Sequence, residues 1–254
     1  MTSAFDAVAS NFERFRALPP GVPEAIRSEV LGAATVPLPA RVLDLGAGTG
    51  RFGKVFIEAG DRYAGVDMSL AMLREFQSSS HGAFLAQADG RQLPFRDGIF
   101  DIVLLMHVLS GTTAWRPMIE EVRRVCRSGG VVAVGRTDSP EAGINVQLKH
   151  QLKKTLEAMG VSWHRSQRAH REALGHLKLF ATRHVLTQAA SWNHSETAQD
   201  FISRHRSGAR FAALPHDVQE QALQKLGAWA KETFGSMDRK FDEQRSFELD
   251  IFEL

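Results

Sequence analysis

The feature that most constrains this chain is the stretch 41-RVLDLGAGTGRFGKVF-56. A short apolar run of strand character leads into three closely spaced glycines, Gly46, Gly48 and Gly50, and then into a helix-like segment. Glycine tolerates a positive φ and lets a ligand approach the backbone closely. A strand, a glycine turn and a helix in this order are typical of the ligand-binding edge of an open α/β sheet. The turn therefore predicts a ligand site at residues 46–50.

The two halves of the chain are organised differently. In the first half, strand and helix signals alternate with short connections, which predicts a parallel α/β sheet. Strands are predicted there over 41–46, 62–67, 83–89, 100–109 and 131–138. Helices are predicted between them over 50–60, 69–80 and 115–127. The second half is mostly helical, with helices predicted over 144–160, 167–181, 194–208 and 217–235 and strands over 182–191 and 246–254. We interpret the two helices between the last two strands as an insertion that covers one end of the sheet.

Composition narrows the class of protein. A single cysteine, Cys126, excludes an intramolecular disulfide, and its surroundings predict an inert buried thiol. No apolar run approaches the ~18 residues that a membrane helix needs, and no secretory leader is visible, so we expect a soluble, cytoplasmic protein. The net charge is only +2, yet residues 148–184 hold eight Lys or Arg against two Asp or Glu. This segment favours an anionic partner.

Histidine spacing gives no sign of a metal centre. His164, His170 and His176 recur every six residues, so they do not share one helix face. They also lack the i, i+4 spacing and the nearby carboxylate of a zinc-binding helix. The sequence therefore predicts no metal site.

An aspartate next to the glycine turn distinguishes between two classes of ligand. Gly48, Gly50 and Gly53 formally satisfy the dinucleotide-binding spacing, which is a weak signal alone. A dinucleotide brings an anionic pyrophosphate to the turn, and Asp44 is a poor neighbour for it. An ammonium or sulfonium group suits that carboxylate better. We expect a cationic ligand whose amino-acid part lies against Asp44.

Two further aspartates end the next two strands. Asp67 follows Gly50 by 17 residues, a distance that suits a carboxylate accepting hydrogen bonds from ribose hydroxyls. Asp89 ends the third strand, where it can accept a hydrogen bond from an adenine amino group. Met68 can pack on the adenine face. Either aspartate alone could be a solvated turn residue, but their positions at successive strand ends favour a nucleoside site.

Several segments of the first half resemble one family. They are VLDLGAGTGRFG, YAGVDMS, ADGRQLPFRDGIFDIVLLMHVL, and RSGG before VVAVG. Over residues 38–137 they resemble the class I S-adenosylmethionine-dependent methyltransferases. The subgroup contains the ubiquinone and menaquinone C-methyltransferases and many natural-product methyltransferases. The opening FDAVASNF is similar to the family's N-terminal lid helix, with Phe12 at its aromatic position.

The resemblance implies a fold, a domain division and a cofactor site. The fold is a Rossmann-like, seven-stranded, mostly parallel sheet with an antiparallel last strand, helices on both faces and a helical insertion before that strand. The single domain, 1–254, divides into lid helices (1–36), a cofactor-binding core (38–137) and acceptor-side helices and strands (138–254). Asp44, Gly46, Ala47, Gly48, Thr49 and Gly50 are implied to hold the methionine portion, Asp67 the ribose and Asp89 the adenine. The remaining implied contacts to S-adenosylmethionine are Phe12, Met68, Gly90 and Met106.

The expected activity is methyl transfer to a small organic acceptor. Transfer is an in-line displacement at the sulfonium methyl, so alignment of the nucleophile supplies most of the catalysis. His107, after the fourth strand, is the candidate general base, and its alternative role is to line the pocket. Relatives often carry a second histidine directly after this one, where this chain has Val108. The site of methylation (O, N or C), a place in secondary metabolism and the oligomeric state stay open.

Three other functions compete with small-molecule methylation. The basic segment 148–184 motivates an RNA methyltransferase, although no RNA-binding motif accompanies it. A protein that binds the cofactor without transfer would retain the same glycine turn. A nicotinamide oxidoreductase is disfavoured by Asp44 and by the lack of a Tyr-x-x-x-Lys pair, since Tyr63 is the only tyrosine.

Overall fold

The computed structural model describes residues 5–6, 9–109, 112, 114–163, 167–206 and 208–254. His164, discussed above, lies outside this part of the chain. The strands are β1 (Arg41–Leu45), β2 (Arg62–Asp67), β3 (Phe84–Gln87), β4 (Phe100–Met106), β5 (Cys126–Asp138), β6 (Arg183–Glu196) and β7 (Phe241–Glu253). The helices are α1 (Ala9–Arg16), α2 (Val22–Gly32), α3 (Lys54–Glu58), α4 (Leu70–Ser79), α5 (Trp115–Val125), α6 (Ile144–Ala158), α7 (Gln167–Lys178), α8 (Ala198–Arg206), α9 (Ala209–Ala212) and α10 (His216–Phe234).

The seven strands form one sheet in the order β3-β2-β1-β4-β5-β7-β6. The first five strands are parallel, and β7 runs antiparallel to both of its neighbours. The predicted fold, a mostly parallel sheet with an antiparallel last strand, is therefore confirmed. The strand order reverses between β1 and β4, and ligands of open α/β sheets bind at such a point. The glycine turn follows β1 directly.

Two apolar layers cover the sheet. One contains α5 and α7 and packs on Leu43, Val103 and Phe252. The other contains α2 and α3 and packs on Val42, Ile102 and Phe247. A third cluster lies away from the sheet, where α6, α8 and α10 pack around Phe201, Leu148 and Leu226. We call α6, α8, α9 and α10 the cap. No helix in the described part of the chain is long and apolar enough to cross a membrane.

Several predicted boundaries are wrong for identifiable reasons. The helix predicted over 50–60 shrinks to α3, because residues 50–53 form a turn. Residues 194–196 belong to β6 rather than to a helix, and three helices, not two, separate β6 from β7. Cys126 begins β5 instead of ending a helix. Its thiol is buried, and burial raises its pKa to about 12, as expected for an inert cysteine.

Candidate active site

The turn after β1 requires glycine at several positions. Gly46, Gly48 and Gly50 have φ values of 83°, 55° and 85°, in the left-handed region that favours glycine. A Cβ on Gly46 would lie 2.5 Å from Cγ2 of Val108, and one on Gly50 would lie 2.3 Å from the ring of Phe76. The turn is therefore packed closely against β4 and α4. Side chains at these glycines would displace it.

Most of the turn's backbone amides are used inside the protein. The amides of Gly46 and Ala47 both donate to the carbonyl of Val66, at 2.7 and 3.0 Å. The amide of Gly48 donates to Oδ2 of Asp67 at 2.9 Å, and that of Gly50 donates to the carbonyl of Ala47. Binding of a pyrophosphate at such a turn relies on free amides. These four amides are not free for a ligand anion, which disfavours a dinucleotide.

Asp44 is the buried carboxylate beside the turn. It is 1% exposed, and its Oδ2 accepts a hydrogen bond of 2.8 Å from the Tyr63 hydroxyl. Its Oδ1 is buried without a hydrogen-bond partner. Burial raises the pKa of Asp44 to about 7, although the hydrogen bond from Tyr63 opposes the shift. An unpartnered buried carboxylate oxygen is costly, and a cationic ligand would satisfy it.

Asp67 connects the end of β2 to the turn. Besides the Gly48 amide on Oδ2, its Oδ1 accepts a hydrogen bond of 2.8 Å from the amide of Ser69. Burial raises the pKa of Asp67, and these backbone donors oppose the rise. The amides of Gly48, Ser69 and Met68 do not exhaust the roughly four lone-pair sites of a carboxylate, so capacity remains for a ligand hydroxyl. Met68, the next residue, is 43% exposed and its side chain is accessible at the same edge.

Asp89 lies two residues beyond β3 and is engaged by Arg91. The Nε and Nη2 atoms of Arg91 bind its carboxylate at 2.5–3.0 Å, and the Arg91 amide donates to Oδ1 at 2.9 Å. The side-chain hydrogen bonds from Arg91 lower the pKa of Asp89. Gly90 is buried, and a Cβ there would lie 3.1 Å from Cδ1 of Leu45. The aspartate is therefore ionised, and a ligand must share it with Arg91.

Helix α1 covers the turn and the end of β2. Glu13 accepts a hydrogen bond from the Thr49 hydroxyl, and Asp6, before the helix, accepts one of 2.6 Å from the Ser69 hydroxyl. Arg51 donates at 2.6 Å to the carbonyl of Arg16, and its guanidinium lies 5.7 Å from the Phe12 ring centroid. These contacts join the helix to the glycine turn, and the lid role predicted for it and for Phe12 stays a prediction.

The last residue of β4, Met106, and the next residue, His107, form the other side of the site. Met106 is buried, and its sulfur would lie 2.3 Å from a Cβ on Gly135, so its side chain packs in the apolar layer. His107 has a φ of 61°, which is uncommon for a non-glycine residue. Its Nε2 lies 3.3 Å from the Thr137 hydroxyl oxygen, and the centroid of its ring lies 5.9 Å from that of Phe52 and 5.7 Å from that of Phe247.

A buried ion network joins the cap to the sheet. Arg245 of β7 pairs with Glu196 of β6 at 2.6 Å and with Glu243 at 2.7 Å. Arg204 of α8 also pairs with Glu196, and it donates to the Asn145 side chain of α6 at 2.9 Å. These buried pairs fix the position of the cap beyond the carboxyl ends of β5 and β6.

The basic segment 148–184 does not form one surface. Its first part lies on α6, which packs on α8 and α10 in the cap, whereas α7 packs on α5 and β7. His176 of this segment has a partner on α5, since its Nε2 lies 2.7 Å from Oε1 of Glu120. The described part of the segment therefore offers no continuous basic face for nucleic acid. The described residues also contain no group of three or more acidic, histidine or cysteine side chains placed to hold a metal.

Comparison with known proteins identifies the class. Residues 43–134 match the family model described as a methyltransferase domain. The demethylmenaquinone methyltransferase of Corynebacterium urealyticum is 34% identical over 120 residues, which cover 47% of this chain and 51% of that protein. The malonyl-[acyl-carrier protein] O-methyltransferase of Geobacter sulfurreducens is 31% identical over 139 residues, 52% of this chain and 50% of that protein.

The fold is shared over a longer stretch than the sequence. The crystal structure of the YcgJ protein of Bacillus subtilis matches with a TM-score of 0.57 and 19% identity, covering 91% of this chain and 99% of that chain. Residues 43–134 therefore match a methyltransferase domain, and the predicted resemblance to the class I S-adenosylmethionine-dependent methyltransferases is confirmed. The chain spans about half the length of the two curated relatives above.

Sequence reasoning missed four residues that shape the site: Tyr63, Glu13, Arg51 and Arg91. The first of these had a readable signal, because a buried hydroxyl needs a partner and Tyr63 stands one strand away from Asp44. Arg91 follows Asp89 by two residues, a spacing at which a side chain can close on the aspartate. The contacts of Glu13 and Arg51 join the lid to the turn across 35 or more positions. No local pattern encodes such contacts.

Proposed function

We propose that this protein transfers a methyl group from S-adenosylmethionine to a small organic acceptor. The observation that carries the proposal is the unpartnered oxygen of the buried Asp44 beside the glycine turn. An ammonium group is the ligand part that satisfies it. The names of the relatives above support a methyltransferase with a small-molecule acceptor.

Each strand end contributes one part of the proposed donor site. Asp44 holds the ammonium of the methionine portion, and the Gly46–Gly50 turn lets that portion approach the backbone. Asp67 accepts hydrogen bonds from the ribose hydroxyls, and Asp89 accepts one from the adenine amino group, with Met68 on the adenine face. The lid helix, with Phe12, excludes water from the bound donor. Gly90 has no side chain and so leaves space for the adenine beside Asp89.

The acceptor side is formed by His107 and the cap. When bound, S-adenosylmethionine supplies an electrophilic methyl group on a sulfonium centre. The protein's task is to align an acceptor atom with that methyl and to exclude water. Thr137 orients the His107 ring through its hydrogen bond to Nε2, and the other ring nitrogen accepts the proton of a hydroxyl or phenol acceptor. With an acceptor that has no proton to lose, the same ring lines the pocket beside Phe52 and Phe247.

Calorimetry with two classes of ligand tests the proposal. S-adenosylhomocysteine should bind the wild-type protein, whereas NADH and NADPH should not. Binding of the dinucleotides alone would contradict the proposal. Consumption of S-adenosylmethionine in the presence of candidate acceptors then distinguishes an enzyme from a protein that only binds the donor.

A further inference from the structure

Tyr63 makes a contact that the methyl-transfer chemistry does not explain. It is the only tyrosine of the chain, it lies on β2 between the edge strand β3 and β1, and it is 5% exposed. Its hydroxyl donates to Oδ2 of Asp44 at 2.8 Å. The other oxygen of Asp44 is the one left without a partner. A single phenol therefore determines which carboxylate oxygen remains for a ligand.

Two glycines make room for this phenol. Gly65 of β2 pairs with Asp44 of β1, and a Cβ on Gly65 would lie 3.1 Å from Cε1 of Tyr63. A Cβ on Gly53 would lie only 2.2 Å from the Tyr63 hydroxyl oxygen. The ring of Phe76 packs edge-on against the ring of Tyr63, with 5.8 Å between the two centroids. Gly53, which formally completes the dinucleotide spacing, therefore has a different role here, since it accommodates the tyrosine hydroxyl.

We propose that Tyr63 is a positioning residue that holds Asp44 with Oδ1 toward the donor, and so selects ligands with a cationic amino-acid tail. The inference rests on the proposed function, because it assumes that Asp44 meets the ammonium of S-adenosylmethionine. It goes further by assigning the selection to a side chain that does not itself touch the cation. Tyr63 acts only through the carboxylate of Asp44.

The charges around Asp44 give this contact an effect that depends on pH. Three groups influence the carboxylate: Tyr63 on β2, Asp67 at the end of β2, and Arg51 after the turn. Burial raises the pKa of Asp44 to about 7, and the Tyr63 hydrogen bond and Arg51 hold it down. Without the hydroxyl, more of Asp44 is protonated at neutral pH. A protonated Asp44 cannot form an ion pair with an ammonium group.

The test compares two ligands on the Tyr63→Phe variant. S-adenosylhomocysteine carries the ammonium group, whereas 5′-methylthioadenosine has the same nucleoside and no amino-acid tail. By calorimetry near pH 7, the variant should bind S-adenosylhomocysteine on the order of tenfold more weakly, as for one lost charge-assisted hydrogen bond. Its affinity for 5′-methylthioadenosine should be unchanged. The loss of affinity for S-adenosylhomocysteine should become smaller toward about pH 8.5, where Asp44 is ionised in both the variant and the wild-type protein.

Equal losses for both ligands would show that Tyr63 only supports the fold, and would overturn the inference. An unchanged affinity for S-adenosylhomocysteine would also overturn it. Asp44→Asn is the matched control: in that background, adding Tyr63→Phe should cause no further loss. Either overturning result would leave the proposed function intact, provided that the wild-type protein binds both 5′-methylthioadenosine and S-adenosylhomocysteine. If it binds neither, the proposed function itself is wrong.

Discussion

Asp44→Asn should make the ligand-free protein more stable at alkaline pH. The pKa of Asp44 is about 7, against an ordinary value of 3.8. Because the pKa of Asp44 is higher in the folded than in the unfolded state, the protonated carboxyl stabilises the fold fully below about pH 3.8. This contribution is lost as the pH rises through about 7. The difference of about 3 units corresponds to about 4 kcal/mol by pH 8. At that pH the ionised carboxylate opposes folding.

The substitution removes this charge and introduces a smaller cost. Tyr63 can still donate to the amide oxygen of the asparagine, but the buried amide nitrogen takes the place of the unpartnered Oδ1. An unsatisfied buried polar group costs about 1–3 kcal/mol. We therefore expect a net gain of about 1–3 kcal/mol in the free energy of unfolding at pH 8. Near pH 5.5 the contribution of the charge falls to about 2 kcal/mol and the two effects cancel.

Urea unfolding of both proteins at pH 8 and near pH 5.5 measures the effect. The matched control is Asp101→Asn, a change at the opposite end of the neighbouring strand. Burial raises the pKa of Asp101, but hydrogen bonds from Arg41 and Arg127 outweigh it and bring the pKa to about 2. The ionised Asp101 therefore stabilises the fold above its ordinary pKa of 3.8, and this contribution is lost as the pH falls through about 2. Asp101→Asn should lower the free energy of unfolding by about 2 kcal/mol at both pH values. An Asp44→Asn protein less stable than wild type at pH 8 would refute the reasoning.

Three further substitutions test separate parts of the site. Asp67→Ala should weaken binding of S-adenosylhomocysteine by about 1.5–3 kcal/mol in calorimetry, whereas Asp97→Ala, at an aspartate whose side chain is 80% exposed, should not. His107→Ala should slow transfer to a hydroxyl acceptor by ~10²-fold or more in single-turnover kinetics, and an unchanged rate would assign His107 to the pocket wall. Gly53→Ala should lower the free energy of unfolding by about 1–3 kcal/mol because its Cβ meets Tyr63. Gly175→Ala, in open space on α7, should raise it by up to about 1 kcal/mol, and equal effects at the two glycines would contradict the packing argument.

The sequence predicted most of the donor half because its signals are local. Apolar strands, the glycine turn and the N-terminus of α4 each depend on a few neighbouring residues. At that N-terminus the Ser69 hydroxyl accepts a hydrogen bond of 3.2 Å from the Met72 amide. Two of the predicted residues, Gly48 and Asp67, come together through a hydrogen bond of 2.9 Å from the Gly48 amide to Asp67. Their roles toward a donor remain proposals.

The second half of the chain could not be read in the same way because several of its interactions are long-range. In its ion network Arg245 pairs with Glu196 across 49 positions, and each of these side chains alone is typical of a solvated surface. The lid contacts of Glu13 with Thr49 are similarly remote. The bulge between Gln188 and Ala190, which shifts the register of β6 against β7, has no local sequence signal either.

The position of β7 has a consequence for the order in which the chain can fold during synthesis. β6 hydrogen-bonds only to β7 within the described sheet, and residues 197–240 are made between the two strands. While the chain is still emerging from the ribosome, β1 to β5 can assemble, but β6 has no strand beside it. An exposed strand of this kind is open to association with other chains. Helix α2, which packs on β6 and is made long before it, covers part of this strand until residues 241–253 arrive to complete the sheet.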